Sequence, residues 1–248
     1  TGSAMNALHW LQRKLNKLTT YVPPPPRDGD GQPRRILLVH CHPLSDSYSD
    51  SLAAAVEEGA RQGGHEIRRR SLYQEGFQPA LTSAERAHYL DAATGVGRES
   101  ARPDLARDVV KSLADLRWCD SLVLVYPTWW LNMPAMLKGW FDRTLIPGPE
   151  GVGAWDFPPP DQKGALINGL LPRLMNIERM VCVSTYGAPK HLVMLGGDNG
   201  RNCIGTAIRP VFSPECTCKW MGLYQLDGLS QSERARFRST VVSAIRDL

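Results

Sequence analysis

The fold is decided by residues 121–143, which read SLVLVYPTWWLNMPAMLKGWFDR. The first six residues form a continuous apolar run, which is typical of a central strand buried on both faces of a parallel sheet. A turn with adjacent tryptophans between two prolines follows, and residues 133–145 have the pattern of a helix. This stretch predicts a strand, a turn and a helix at the centre of an α/β sheet.

The rest of the chain repeats the alternation of apolar strands and amphipathic helices. The predicted strands are residues 36–41, 66–72, 121–126, 180–185 and 219–224, and the predicted helices are residues 52–61, 103–116, 133–145, 202–209 and 230–248. Gly63 and Gly64 end the first helix, Ser232 is the predicted cap of the last one, and basic neighbours of Ile67 place the second strand at an edge. This pattern predicts a doubly wound five-stranded parallel sheet of order 2-1-3-4-5 with helices on both faces.

The first 33 residues differ from the rest and are predicted to be separate from the α/β domain of residues 34–248. Residues 1–4 have the composition of a cloning remnant. In residues 6–18 leucines recur at spacings of three and four among basic residues, which predicts a short basic amphipathic helix, and consecutive prolines at 23–26 form a stiff spacer. The helix packs on its own domain or a dimer mate, or it contacts a membrane surface or another partner.

Charge and composition argue against several classes of protein. The 29 basic and 25 acidic residues give a net charge of +4, well short of the one-sided excess of a nucleic-acid binder. No apolar run approaches the roughly 20 residues that cross a bilayer, and no secretory signal is evident. Cys41, Cys119 and Cys182 lie in or beside predicted buried strands, where thiols are usually inert. We therefore expect a cytoplasmic protein.

Ligands of a doubly wound sheet bind beyond the carboxyl ends of the strands, so the turns after strands one, three and four are the places to search. The first turn, residues 42–49, reads HPLSDSYS and leads directly into a helix. Hydroxyls and free N–H groups at a helix N-terminus bind phosphate oxygens, which makes Ser47, Tyr48 and Ser49 candidates. The alternative is that Asp46 or Ser47 only caps the helix.

Two pairs of residues have the types that bind metals. His40 and His42 can point the same way from a strand, but the sequence places no third ligand near them. Cys216 and Cys218 lack a second pair at zinc spacing. We therefore expect no metal and assign His42 to a phosphate or a ribose.

The turn after strand three carries Trp129 and Trp130 at the end of a buried strand. Aromatic side chains placed there are exposed unless a flat group covers them, and the isoalloxazine ring of a flavin is such a group. The alternative is that these tryptophans fill the core or a dimer interface.

The sequence from 127 to 143, with its central MPAMLKGWFDR, closely resembles the NAD(P)H:quinone oxidoreductase family of flavodoxin-like enzymes. The turn at 42–49 is similar to that family's first flavin-phosphate loop, and Gln78-Pro79 resembles the segment before its variable excursion. The similarity extends over roughly residues 35–225.

The resemblance implies a flavodoxin-like domain with FMN or FAD, and NADH or NADPH as the electron donor. It also implies ping-pong transfer of two electrons to a quinone or a similar small acceptor, and a homodimer with the active site at the interface. By position, the residues that line the isoalloxazine are Pro127, Thr128, Trp129, Trp130 and Leu131. By position, Ser47, Tyr48 and Ser49 bind the phosphate or pyrophosphate, with His42 alongside.

The turn after strand four departs from the family. Well-known members have a Thr-Thr-Gly-Gly turn followed by a tyrosine and a histidine that polarise the reduced flavin, whereas here Tyr186 occupies a glycine position and residues 196–198 lack the histidine. A reduced flavin develops negative charge near N1 and O2, so we expect hydrogen-bond donors in this turn. The candidates for cofactor binding there are Thr185, Tyr186 and Gly187, with backbone N–H groups of the last two as donors.

The catalytic candidates in this turn are the side chains of Tyr186, Lys190 and His191. The alternatives are that Tyr186 packs in the core and that Lys190 and His191 are solvated loop residues.

Two other functions remain open. A flavodoxin-type electron carrier lacks a nicotinamide site and usually has an acidic docking surface, which the basic balance here does not favour. A flavin-bearing regulatory subunit would dock on a membrane transporter through residues 6–18.

Overall fold

A computed structural model describes residues 32–87, 89, 105–148, 151–158 and 170–248. The predicted helix at 6–18, the proline spacer and the remnant at 1–4 lie outside these residues. The division of the chain at residue 33 therefore stays a prediction.

The main sheet has five parallel strands in the order β2-β1-β3-β6-β7. The strands of the chain are β1 (Arg35–His40), β2 (Glu66–Ser71), β3 (Ser121–Pro127), β4 (Trp155–Asp156), β5 (Leu171–Pro172), β6 (Arg179–Thr185) and β7 (Thr217–Leu223). β4 and β5 form a separate antiparallel ribbon, so the order of the main sheet corresponds to the predicted 2-1-3-4-5. The predicted doubly wound α/β fold is confirmed.

Helices flank this sheet. They are α1 (Tyr48–Gln62), α2 (Ser83–Ala87), α3 (Arg107–Trp118), α4 (Ala135–Thr144), α5 (Lys190–Leu195), α6 (Asn199–Cys203) and α7 (Gln231–Arg246). A π-helical turn (Ile204–Ile208) and two 3-10 turns (Arg209–Val211 and Leu226–Gly228) complete the described helical structure.

β3 is buried along its whole length, as its apolar run predicts. Leu122 and Leu124 belong to the core cluster on one face, together with Trp140 of α4. Val123 and Val125 belong to the cluster on the other face, with residues of α1 and α7. Because side chains of a strand alternate between faces, a continuous apolar run supplies both cores at once.

β2 is at the sheet edge, as predicted, and its arginines are paired. Arg69 Nη2 lies 2.5 Å from Asp50 Oδ1, and Arg70 Nη1 lies 2.6 Å from Glu75 Oε2. Paired charges protect the open edge against pairing with another strand.

Several predicted helix boundaries are corrected. α4 begins at Ala135 rather than 133, because a residue that precedes a proline disfavours helix and Pro134 is the N-cap. α7 is capped by Ser230 rather than Ser232, since Ser230 forms a reciprocal capping box with Glu233. The predicted helix at 202–209 is the end of α6 followed by the π-helical turn.

Two residues of the MPAMLKGWFDR sequence in α4, Gly139 and Arg143, pack against the segment that follows β2. A Cβ on Gly139 would overlap the backbone oxygen of Pro79, so only glycine allows this close approach. Arg143 forms ion pairs of 2.7 Å with both Glu85 and Asp108, and it donates to the carbonyl of Gln78. In this structure Gly139 and Arg143 therefore have a packing role.

Candidate active site

The turns after β1, β3 and β6 lie side by side at the carboxyl edge of the sheet. The N–H of Thr128 donates to the carbonyl of Thr185 at 2.7 Å, which joins the turns after β3 and β6. The rings of His42 and Trp129 have centroids 6.1 Å apart, which brings the turn after β1 to the same place. The structure thus assembles the three turns that the sequence selected.

The turn after β1 is both a helix cap and a candidate anion cradle. Ser47 is the N-cap of α1, and its hydroxyl accepts the N–H of Asp50 at 3.1 Å. Tyr48 and Ser49 are the first two residues of the helix, where N–H groups have no acceptor within the helix. The Ser49 Oγ is buried and has no hydrogen-bond partner among the described residues. A buried polar atom in that condition fits a phosphate oxygen.

The side chains of Tyr48 and His42 have other partners. Tyr48 Oη donates to the carbonyl of Arg234 in α7 at 2.7 Å. Because the hydroxyl is engaged there, Tyr48 contributes to the candidate site through its backbone. His42 Nδ1 accepts the N–H of Leu44 at 3.0 Å, and this hydrogen bond keeps the imidazole beside Trp129.

The turn after β3 has an unfavourable backbone. Trp129 and Asn132 exchange hydrogen bonds of 2.9 and 3.0 Å, and the two residues between them, Trp130 and Leu131, have φ angles of 52° and 57°. Bulky residues are uncommon in the left-handed region, which costs roughly 1–2 kcal/mol per residue. Both hydrogen bonds that close the turn are formed by the backbones of Trp129 and Asn132. The N–H groups of Trp130 and Leu131 take no part in them.

The tryptophans of this turn face outward. Trp130 is 99% exposed and Trp129 is 41% exposed, so neither fills the core. Leu131 is half-buried, and its side chain packs directly against Gly196. Its carbonyl accepts the N–H of Gly200 at 3.2 Å, which joins the turn to the start of α6.

The turn after β6 places its predicted residues in different surroundings. Thr185 and Tyr186 are buried and Gly187 is exposed. The N–H of Tyr186 donates to the carbonyl of Leu223 at 2.8 Å, which continues the pairing of β6 with β7. The expectation that this N–H is a free donor is therefore wrong, whereas the described residues offer no backbone acceptor to the N–H of Gly187.

The side chain of Tyr186 is held on two sides. It stacks on Tyr224 with ring centroids 4.4 Å apart, and its hydroxyl donates to Asp198 Oδ1 at 3.0 Å. Burial raises its pKa well above the usual value, and the nearby charge of Asp198 raises it further. This tyrosine is therefore a neutral hydrogen-bonding group.

Lys190 and His191 are the first residues of α5, which begins after the N-cap Pro189. Both side chains are exposed. The Lys190 Nζ lies 6.0 Å from the centroid of the Tyr224 ring. Their predicted catalytic roles stay predictions.

Sequence reasoning did not select Asp198 or Ser184, which belong to the same group of polar side chains. Both are buried, and the Ser184 hydroxyl lies 2.8 Å from that of Thr128. The sequence did contain a signal for Asp198, namely a carboxyl side chain within the glycine-rich segment 196–200. Its pairing with Tyr186 depends on how the intervening segment folds.

No metal centre is found in the part of the chain that the structure describes. His40 is fully buried, and burial together with nearby Arg69 lowers its pKa to about 4 against a smaller opposing effect of Asp50. Cys216 is buried and Cys218 is half-buried. Among the described helices, none is both long enough and apolar enough to cross a membrane.

Curated proteins with similar sequences are oxidoreductases by name. The ribosyldihydronicotinamide dehydrogenase [quinone] of Homo sapiens is 30% identical over 122 residues, which are 46% of this chain and 52% of that protein. An uncharacterised NAD(P)H oxidoreductase of Escherichia coli is 30% identical over 112 residues, 45% of this chain and 53% of that protein. The chain thus spans about half the length of the curated relatives it matches.

Solved structures show the same fold over more of the chain. The NAD(P)H:quinone oxidoreductase from Methanothermobacter marburgensis has a TM-score of 0.67 at 20% identity, covering 87% of this chain and 96% of that one. An FMN-dependent NADH-azoreductase from Bacillus anthracis, in complex with FMN, has a TM-score of 0.64 at 14% identity, covering 86% of this chain and 97% of that one.

A family model described as a flavodoxin-like fold matches residues 34–204, which include β1, β3, β6 and the three turns of the candidate site. This chain is a member of that flavodoxin-like family.

Proposed function

We propose that this chain is a flavin-dependent NAD(P)H oxidoreductase that passes two electrons from a reduced nicotinamide to a quinone or a similar small acceptor in a ping-pong cycle. The proposal depends chiefly on the turn at Trp130 and Leu131. Its strained backbone carries an almost fully exposed indole, beside a helix N-terminus whose buried Ser49 hydroxyl has no partner in the part of the chain that the structure describes. Strain that persists on an exposed turn indicates a functional constraint. The names of the matched oxidoreductases support the same reading.

The candidate site residues form two groups, one for the phosphate end of a flavin and one for its ring. The phosphate end would be held by the N–H groups of Tyr48 and Ser49 and by Ser49 Oγ, with Ser47 and His42 beside them. The residues that would line the ring are Pro127, Thr128, Trp129, Trp130, Leu131, Thr185, Tyr186 and Gly187. A bound flavin would supply the hydride and electron chemistry. FMN and FAD both fit this assignment, as do NADH and NADPH.

The chain's own residues position and shield the reactants. Trp129 and Trp130 offer flat apolar surfaces to a planar ring. The N–H of Gly187 would donate to negative charge that develops near it, which would favour an electron-rich state of the bound ring. Lys190 and His191, exposed at the start of α5, would add positive charge or a proton at the same side.

A second copy of the chain would complete the site. Trp130 is 99% exposed, and Leu192 and Leu195 of α5 are 49% and 78% exposed. Large apolar side chains exposed together mark interaction surfaces. A homodimer with the active site at its interface would cover them. A partner contact through residues 6–18 is proposed as an additional property of the chain.

The test is a spectroscopic titration. The purified chain is reconstituted with FMN or FAD, reduced anaerobically with NADH or NADPH, and then mixed with a quinone or an azo dye. We expect a yellow protein that is bleached by the nicotinamide and recovers its colour with the acceptor. A chain that stays colourless with both flavins contradicts the proposal. Colour that is bleached by dithionite but not by either nicotinamide favours the electron carrier.

A further inference from the structure

His40 is the last residue of β1, and its side chain lies in the layer between the sheet and α1. Ile36 and Leu38 alternate along the strand onto the same face, and both belong to the apolar cluster that contains the buried residues of α1. His40 itself is fully buried. A polar ring therefore ends an apolar row, at the carboxyl edge of the sheet where the candidate site lies.

Ser49 faces this histidine from α1. Ser49 is the first of the buried residues of α1, ahead of Leu52 and Ala53 on the same stripe of the helix. Because β1 and β2 are parallel and α1 connects them, the helix runs back along the sheet, and its first turn lies over the end of β1. The contact is direct, since Asp50 Oδ1 in this turn lies 4.0 Å from His40 Nδ1.

The contacts of His40 identify the nitrogen that carries its proton. Arg69 Nη2 lies 3.4 Å from His40 Nδ1, and a guanidinium group can only donate, so Nδ1 is the acceptor. Burial, with a further contribution from Arg69, lowers the pKa of His40 to about 4, so the ring is neutral at neutral pH. We therefore assign its single ring proton to Nε2.

Two polar atoms in this layer lack partners. His40 Nε2 and Ser49 Oγ are both buried, and neither has a hydrogen-bond partner among the described residues. Nε2 is the ring nitrogen farther from Cβ, so a side chain that stands on the sheet directs it towards α1. A buried donor without an acceptor is destabilising and is uncommon in native proteins. The pair is explained if a ligand supplies the acceptor.

The groups around this pair favour an oxyanion as that ligand. The N–H groups of Tyr48 and Ser49, at the start of α1, are further donors without an acceptor inside the helix. The adjacent carboxylate of Asp50 is paired with Arg69 at 2.5 Å, and the N–H of Asp50 donates to Ser47 Oγ. The surroundings thus supply hydrogen-bond donors and neutralise the nearest negative charge, which suits a phosphate group.

Building on the proposed function, we infer that His40 binds the phosphate tail of the flavin. The neutral imidazole donates its Nε2–H to the phosphate oxygen that also accepts a hydrogen bond from Ser49 Oγ, while Arg69 holds the ring through Nδ1. Both buried groups gain their partner only when the ligand is bound. The phosphate site then includes a residue of the sheet as well as the turn and the helix start.

Nitrogen-15 NMR of the histidine rings of the full chain tests this contact without measuring activity. Before flavin is added, His40 should show the tautomer with its hydrogen on Nε2. FMN or FAD, whichever the chain binds, should move the Nε2–H proton resonance downfield, because a charged acceptor forms a shorter and stronger hydrogen bond. Riboflavin, which has the same ring system but no phosphate, should leave the resonance in place. Inorganic phosphate is the third probe.

Two substitutions of His40 separate the roles of its nitrogens. Asparagine places an amide group near Nδ1 and nothing at Nε2, whereas glutamine places its amide nitrogen near Nε2. In a fluorescence titration, His40→Asn should bind the flavin nucleotide at least about 10-fold more weakly, as expected when a hydrogen bond to a charged group is lost, and should bind riboflavin normally. His40→Gln should restore the affinity to within about 3-fold of the wild type. A merely structural role would change the binding of both ligands alike.

His65→Gln is the matched control. His65 Nδ1 accepts the N–H of Arg34 at 3.1 Å, and its Nε2 lies 3.1 Å from the carbonyl oxygen of Ile245, so both ring nitrogens have partners in the protein. It precedes β2 at the amino edge of the sheet, away from the candidate site. This variant should bind both ligands with wild-type affinity. Melting temperatures of all three variants report separately on folding.

The outcomes separate the two proposals. A chain that takes up neither FMN nor FAD overturns the proposed function. A chain that binds the flavin nucleotide without moving the His40 resonance, or equally well as His40→Asn, overturns the role of His40 alone. A resonance that moves with inorganic phosphate but not with the flavin nucleotide assigns the pair to a free anion and overturns that role as well. If His40→Asn does not fold, the NMR titration of the wild type decides the question.

Discussion

Arg143 Nη2 lies 2.7 Å from Glu85 Oε1, so the last turn of α4 holds the short helix α2 against the domain. The Arg143 side chain is 3% exposed and also pairs with Asp108 of α3. One buried cation therefore joins three helices just behind the strand that ends in the aromatic turn. The proposed flavin site does not include this arginine, whereas the packing of the three helices requires it.

Arg143→Met should destabilise the protein, because it leaves the carboxylates of Glu85 and Asp108 without their cation. Removing one member of a buried pair costs roughly 3–5 kcal/mol. The carboxylates here are 19% and 30% exposed, so we expect about 2–3 kcal/mol. Urea denaturation measures the difference. Lys138→Met, which removes the exposed pair with Asp142, is the control and should cost less than about 1 kcal/mol. Equal losses in the two variants would contradict the packing role of Arg143.

Gly139→Ala should be destabilising, whereas Gly205→Ala should be neutral or stabilising. A Cβ at Gly139 overlaps the backbone of Pro79, and forced overpacking costs typically 1–3 kcal/mol. A Cβ at Gly205 meets nothing within 4 Å, and alanine is favoured over glycine in helical segments by about 1 kcal/mol. The midpoints of thermal unfolding compare the two variants. A stable Gly139→Ala protein would show that the segment after β2 can move away from α4.

The sequence predicts the fold through features that are local in the chain. The apolar run at 121–126 and the alternation around it are sufficient for the sheet order and for the choice of three turns. The exposure of Trp130 followed from its place at a strand end, but its left-handed backbone did not follow from the sequence. The close approach at Gly139 was not predictable either, since it depends on contact with the distant Pro79. Asp198 was missed for the same reason, because its partner Tyr186 is twelve residues away and becomes adjacent only when α5 and its flanking turns fold.

Ser47→Ala and Ser49→Ala should separate folding from ligand binding. Loss of the Ser47 cap should destabilise the flavin-free protein by about 1 kcal/mol. Ser49 Oγ is buried without a partner among the described residues, so its removal should leave the stability of the flavin-free protein unchanged or raise it. Ser49→Ala should nevertheless weaken flavin binding about 10-fold, since a hydrogen bond to a charged group contributes roughly 1.5–3 kcal/mol. Fluorescence titration measures the affinity. Unchanged affinity in Ser49→Ala would remove this hydroxyl from the proposed phosphate site.

His40 should make the protein sensitive to mild acid. Its folded-state pKa is lowered from 6.5 to about 4, mainly by burial and then by Arg69. The unfolded state therefore binds the proton first, and stability falls as the pH drops from about 6.5 to about 4. The loss is up to about 3 kcal/mol for this group, at 1.36 kcal/mol per pH unit. Urea denaturation at a series of pH values should give a shallower slope in His40→Gln than in the wild type. Parallel slopes would mean that folding does not lower the pKa of His40.

Trp130→Gly should leave the flavin-free protein as stable as the wild type, or more stable, while it weakens flavin binding. The indole is 99% exposed, so little packing is lost. Glycine adopts a φ of 52° without the left-handed penalty of about 1–2 kcal/mol, although its greater freedom in the unfolded chain costs about 0.5–1 kcal/mol. We therefore expect a stability gain of about 0–1.5 kcal/mol. The loss of one aromatic contact should reduce affinity about 2-fold to 12-fold, at roughly 0.5–1.5 kcal/mol per aromatic pair.

Met175→Ala is the matched control for Trp130→Gly. Met175 is 51% exposed and precedes β6 at the amino end of the sheet, away from the candidate site. It should change neither flavin affinity nor the oligomeric state measured by light scattering. A Trp130→Gly protein with wild-type flavin affinity that has become monomeric would assign the indole to the dimer interface alone. If affinity and oligomeric state both stay at wild-type values, the strained turn does not serve the ligand through its side chain, and the proposed stacking role of Trp130 is wrong.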